Sequence, residues 1–153
     1  MNISESSGRS LGIDPGDKRI GVSVSDESGV IARPLSVILH KSRREDAARI
    51  ISLAAQNGVS KIIVGTALGG DSEPTPASRK AERLADEIKS QSPFPVILWD
   101  ESGSTRSVKE TMMQAGISKK GRSGHQDAAA AAVILQDYLD CLDHPESKAE
   151  KTK

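Results

Sequence analysis

Four carboxylates occupy positions where a folded chain presents side chains to a ligand: Asp14, Asp100, Glu101 and Asp127. Asp14 closes the run Ser10-Leu11-Gly12-Ile13, Asp100 and Glu101 follow the apolar run Val96 to Trp99, and Asp127 opens an alanine-rich segment. Taken singly, each acid has a plain explanation. An Asp-Pro-Gly such as Asp14-Pro15-Gly16 caps a turn, and an acid in a first helical turn such as Asp127 complements the helix dipole. Brought to one place, they would repel one another and resist ionising unless a cation neutralised them. All-oxygen donors suit Mg²⁺ or Mn²⁺. Two such ions roughly 4 Å apart can activate a water and stabilise the leaving oxygen of a phosphodiester. The chemistry depends on whether the chain brings these acids together.

The elements around them are readable. Leu11 and Ile13, the turn residues Pro15-Gly16-Asp17-Lys18, and then Ile20, Val22 and Val24 alternating with Gly21, Ser23 and Ser25 describe a β-hairpin. Side chains alternate across a strand, so Asp14 shares the face of Gly12 and opposes Leu11 and Ile13. Asp26 to Gly29 is a second turn, and Val30 to Leu39 a third strand whose Pro34 predicts an edge position or a bulge. Ser42 and Glu45 form a capping box for a helix with its stripe at Ala47, Ile50, Ile51 and Ala54. Lys61 to Gly65 is a buried parallel strand. Thr75-Pro76 starts a second helix with a stripe at Ala81, Leu84, Ala85 and Ile88. After the strand at Val96 to Trp99, Ser104 caps a helix ending near Gly116, and a final helix runs from near His125 to about Leu142.

On that last helix, Asp127 shares a face with Ala131, Ile134, Leu135 and Tyr138, the face that packs on the sheet. The fold class is α/β: a mixed five-stranded sheet, three antiparallel strands followed by two parallel ones, flanked by helices. Right-handed crossovers align the fourth and fifth strands with the first. Ligands of such sheets sit beyond the carboxyl ends of the parallel strands, where the acids fall. The organisation expected is a flexible stretch at 1–9, one domain over 10–142 and a disordered tail at 143–153.

Composition narrows the function. Lys plus Arg and Asp plus Glu both number 21, so no global field draws the chain to a polyanion and phosphate contacts must come from local patches. Single Phe, Trp and Tyr residues supply no platform for stacking successive bases. One cysteine, Cys141, excludes an internal disulfide and a thiolate zinc cluster and fits a reducing, cytoplasmic compartment. No apolar run approaches the ~18 residues of a membrane span. His40, His125 and His144 are dispersed and read as surface residues. The best phosphate-contacting patch is Lys119, Lys120 and Arg122, just before the helix bearing Asp127, with Lys18 and Arg19 of the hairpin adding to it. A solvated basic loop is the plainer alternative.

The order IDPG-x-K-x-IGVSVSD, IIVG followed by a loop and helix, DE-x-x-(S)T, and HQDAAAAAVILQDYL resembles the YqgF family over Leu11 to Leu142. Members are described as Holliday junction resolvases and as nucleases maturing the 5′ end of pre-16S rRNA. The resemblance implies an RNase H-like fold, a metal-dependent nuclease, and a nucleic-acid partner, with a homodimer as a further expectation. It places Asp14 as the first-strand acid, Glu101 with Asp100 as the acids after the fifth strand, and Asp127 as the helix acid. Asp14, Glu101 and Asp127 are then the metal ligands. The chain departs from the family pattern at Thr66 to Gly70 and at Ser102-Gly103, where Ser102 replaces an arginine. Three activities stay open: cleavage of structured RNA, cleavage of branched DNA, and a non-catalytic nucleic-acid-binding module of the same fold.

Overall fold

A computed structural model describes residues 8–66, 74–100 and 124–143. Five strands, β1 (Arg9–Asp14), β2 (Arg19–Ser25), β3 (Ala32–Leu39), β4 (Val59–Thr66) and β5 (Val96–Asp100), form one sheet in the order β3-β2-β1-β4-β5. β1 pairs antiparallel with β2 and β2 with β3, whereas β4 runs parallel to β1 and β5 parallel to β4. The expected mixed sheet is the one present, and the carboxyl ends of β1, β4 and β5 lie along one edge. β3 is an outer strand, and its register with β2 shifts between Val22 and Ser23, opposite Pro34, so both outcomes expected of that proline occur.

Helices α1 (Arg43–Gln56), α2 (Pro76–Gln91) and α3 (Gly124–Asp143) cover the sheet. Ser42 caps α1 by accepting from the Glu45 amide at 3.1 Å, and its hydroxyl donates to the Glu45 carboxylate at 3.1 Å. Thr75 caps α2 in a reciprocal arrangement with Ser78. Such caps satisfy amides that a helix start leaves without partners. α1 and α2 bury Ala47, Ile50, Ala54, Ala81, Leu84, Ala85 and Ile88 against Leu11, Ile13, Val22, Val24, Ile62 and Val64 of the sheet. α3 lies on the other face, where Leu135, Tyr138 and Leu139 meet Ile63 with Ile97 and Trp99 beside them.

Three expectations need adjustment. The strand at the amino end begins at Arg9, and Gly8 donates its amide to Glu27 O at 2.9 Å, so order reaches into the stretch expected to be flexible. β3 starts at Ala32, because Asp26 draws the preceding turn closed through the amides of Val30 and Ile31. β4 is longer than Lys61 to Gly65 at both ends. The helix expected between Ser104 and Gly116, the basic residues Lys119, Lys120 and Arg122, residues 67–70, and the tail from His144 lie outside the described residues.

Candidate active site

The two faces of β1 carry different side chains. Leu11 and Ile13 point into the α1/α2 core, and Ser10, Gly12 and Asp14 face α3. Asp14, the last residue of β1, pairs across the ladder with Gly21 of β2. A side chain on Gly21 would put its Cβ 2.0 Å from the carbonyl oxygen of Asp127 and 2.6 Å from its carbonyl carbon. The first turn of α3 therefore rests directly on the backbone of β2, at the position opposite Asp14. Further along the helix, a Cβ on Gly12 would lie 2.4 Å from Ser23 Oγ and 2.8 Å from Leu135 Cβ. Ser23 Oγ donates to Ala131 O at 2.8 Å, tying the helix backbone to β2 there. Close approach without a Cβ is what glycine permits at these two positions. It brings an acid on the helix and an acid on the strand to one backbone point.

Asp127 is 8% exposed, and Arg19 Nε lies 2.7 Å from its Oδ2. A buried carboxylate needs such a charge partner to remain ionised at acceptable cost. The sequence points to Arg19 only as one basic residue of a hairpin turn. Its pairing with a residue 108 positions later has no signal in periodicity or local motif. Lys18, the residue before it, is exposed, and its carbonyl accepts from the His40 amide at 2.9 Å. The hairpin tip is anchored to α2 as well: Lys80 Nζ donates to Gly16 O at 2.8 Å and to Asp17 Oδ1 at 2.9 Å. Through that hydrogen bond and its charge, Lys80 holds the Asp17 carboxyl below its ordinary range. The turn that follows Asp14 is thus fixed from the α2 side too.

Asp100 ends β5 opposite Thr66 and is exposed. It shares the alternation of Val96, which packs on the α1/α2 core, whereas Ile97 and Trp99 pack toward α3. Asp100 is therefore at the same edge as Asp14 but on the opposite face. Glu101 lies outside the described residues, as do Lys119, Lys120 and Arg122.

Outside this edge, His40 is exposed as expected, yet its Nδ1 is bonded to the buried carboxylate of Asp46 in the first turn of α1. Asp46 also accepts from the Lys41 amide at 3.0 Å. A signal for it exists in the sequence, since Asp46 sits four and eight residues before Ile50 and Ala54 of the buried stripe.

The donor chemistry at this edge fits a hard divalent cation. Asp14 and Asp127 offer carboxylate oxygens only. Among the described residues no group of three or more His, Cys, Asp or Glu side chains assembles.

The sheet order, with the acids at the strand ends and a helix acid pressed on β2, defines an RNase H-like fold of the RuvC type. RuvC of T. thermophilus in complex with a Holliday junction substrate superposes with a TM-score of 0.57 at 18% identity, covering 90% of this chain and 96% of that one. A fowlpox virus resolvase solved with Holliday junction DNA superposes with a TM-score of 0.53 at 14% identity, covering 88% and 98%. Residues 8–141 match the RuvX family, described as Holliday junction resolvase. A protein of Syntrophus aciditrophicus named as a pre-16S rRNA nuclease is 38% identical over 134 residues, 88% of this chain and 89% of its own length. One from Geobacillus kaustophilus with the same name is 38% identical over 134 residues, 86% of this chain and 97% of its own length. The chain belongs to the RuvX family, also known as YqgF.

Proposed function

We propose that this protein is a divalent-metal-dependent nuclease that hydrolyses phosphodiester bonds in maturing the 5′ end of pre-16S rRNA in the cytoplasm. The observation that carries the reading is the meeting of Asp14 and Asp127 at the Gly21 backbone. Asp14, Asp127 and Glu101 hold Mg²⁺ or Mn²⁺. Glu101 is assigned as the third acid because it directly follows Asp100, which ends β5 at the same edge as Asp14. The ion, when bound, polarises the phosphoryl oxygens and lowers the pKa of an attacking water.

The chain's own groups do the rest. The buried seat of Asp127 limits the water that can compete for its oxygens, and the tethered hairpin keeps Asp14 at a fixed height. Lys18, with Lys119, Lys120 and Arg122, contacts phosphates of the strand and sets its register, while Asp100 flanks the site. Such contacts position a strand without reading its sequence. A homodimer would present two such sites.

A second reading, resolution of branched DNA, is favoured by the family's own description and by the junction-bound RuvC and fowlpox structures. Purified protein is to be incubated with precursor small-subunit rRNA and with a synthetic four-way DNA junction, in Mn²⁺, Mg²⁺ or chelator. The proposal predicts metal-dependent cleavage of the precursor RNA at its 5′ side. Preferential cutting of the junction would replace it with the second reading, and cutting of neither would leave a non-catalytic module.

A further inference from the structure

Arg19 lies on the face of β2 that also carries Gly21, Ser23 and Ser25, two residues beyond Gly21 toward the hairpin tip. Its side chain is 39% exposed, and the Asp127 side chain that it meets is 12% exposed. The position of Asp127 is already determined by the main chain, because α3 bears on the Gly21 backbone and is tied again through Ser23 to Ala131. These contacts orient the helix independently of Arg19. What Arg19 adds is a positive charge, 2.7 Å from one oxygen of a carboxylate with little water around it.

We propose that Arg19 is the resident counter-ion of Asp127, neutralising it in the metal-free protein and setting divalent-cation affinity by competing with the ion for that charge. The inference rests on the reading of Asp127 as a metal ligand. The guanidinium 2.7 Å away compensates the burial of the Asp127 carboxylate. A guanidinium does so at every pH at which the protein is folded, since it does not lose its proton. The metal-free site is thus held together without an ion. A dication entering beside Asp127 then meets a carboxylate whose charge is already shared, and a fixed positive charge that repels it.

The test is calorimetric titration of Mn²⁺ into the full chain and into Arg19→Gln, Arg19→Lys and Asp127→Asn. Arg19→Gln should bind Mn²⁺ about tenfold more tightly than the parent protein, the scale of one unscreened charge at a half-exposed position. Arg19→Lys, which keeps the charge, should stay within about threefold of the parent. Asp127→Asn should lose binding. Unchanged or weaker binding by Arg19→Gln, with Asp127→Asn still deficient, overturns the counter-ion role and leaves Asp127 a ligand. If the parent does not bind Mn²⁺, or Asp127→Asn binds as well as the parent, the ligand reading fails first and this inference with it.

Thermal unfolding provides a second readout. Metal-free Arg19→Gln should melt below the parent and gain more from saturating Mn²⁺. A variant that folds only with Mn²⁺ would support the exchange of one counter-ion for another, and one that fails to fold even then would show that Arg19 is needed for structure.

Discussion

The two faces of the sheet are built from opposite materials. Toward α1 and α2, β1, β2 and β4 present Leu11, Ile13, Ile20, Val22, Val24, Ile62 and Val64, all buried. Toward α3, β1 and β2 present Ser10, Gly12, Asp14, Gly21, Ser23 and Ser25. Large branched side chains hold a helix away from the strands and stabilise it through apolar area, roughly 25 cal/mol per Å². Small residues let a helix come down until backbone touches backbone. The first face makes stability, and the second makes proximity. The proposed site lies on the second because an acid at a strand end can meet an acid on a helix only where nothing bulky stands between them.

That contrast can be broken at the acids themselves. Asp14→Asn or Asp127→Asn should lower metal-dependent cleavage by about a hundredfold or more, the scale on which single catalytic groups act. Circular dichroism should show the fold intact, and an unfolded Asp14→Asn protein would count against a purely chemical role. Next in size, Ile50→Ala, under the large-residue face, should cost about 3 kcal/mol of stability by denaturant unfolding while Mn²⁺ affinity of the folded protein is unchanged. Gly21→Ala should cost about 2 kcal/mol through overpacking and, unlike Ile50→Ala, should weaken Mn²⁺ binding by lifting Asp127 away from Asp14. If both variants affected metal binding alike, the division of labour between the faces would be wrong.

Ser23→Ala removes the bond to Ala131 and should cost about 1 kcal/mol, measured the same way. The smallest effect lies away from both faces. Ser28 and the amides of Ile31 and Val30 hold the Asp26 carboxyl down from its ordinary 3.8 to about 2. Its folded pKa is depressed, so its contribution is fully present above about pH 4 and is lost as pH falls toward 2. A shallower acid limb in the stability profile of Asp26→Ala than in that of the parent would confirm this.

Much of this was legible in the sequence because it is local. The stripe of α2 is buried as its spacing predicts, as are Ala131, Ile134, Leu135 and Tyr138 of α3. By contrast β2, whose alternation predicts a half-buried strand, is buried on both faces because α3 covers its small residues. The cap at Ser42 was readable from its three-residue spacing to Glu45, and that at Thr75 from the proline after it. Asp14 and Asp127 could be assigned to the right faces by parity and helical offset alone. The Arg19 pairing could not, since it depends on how far α3 descends onto β2, and Gly21 in a sequence reads as a gap in a strand pattern. The face of Asp100 could not be read until the packing of Val96 and Trp99 gave each parity of β5 a side.

The central claim is that Asp14 and Asp127 form one cation site across Gly21. It is tested most directly by Mn²⁺ titration of Asp14→Asn, Asp127→Asn and the double variant beside the parent protein. One shared site predicts that each single change removes most of the binding and that the double variant is little worse than either. Binding that survives both single changes, or two losses that simply add, would show that the two acids serve separate ends.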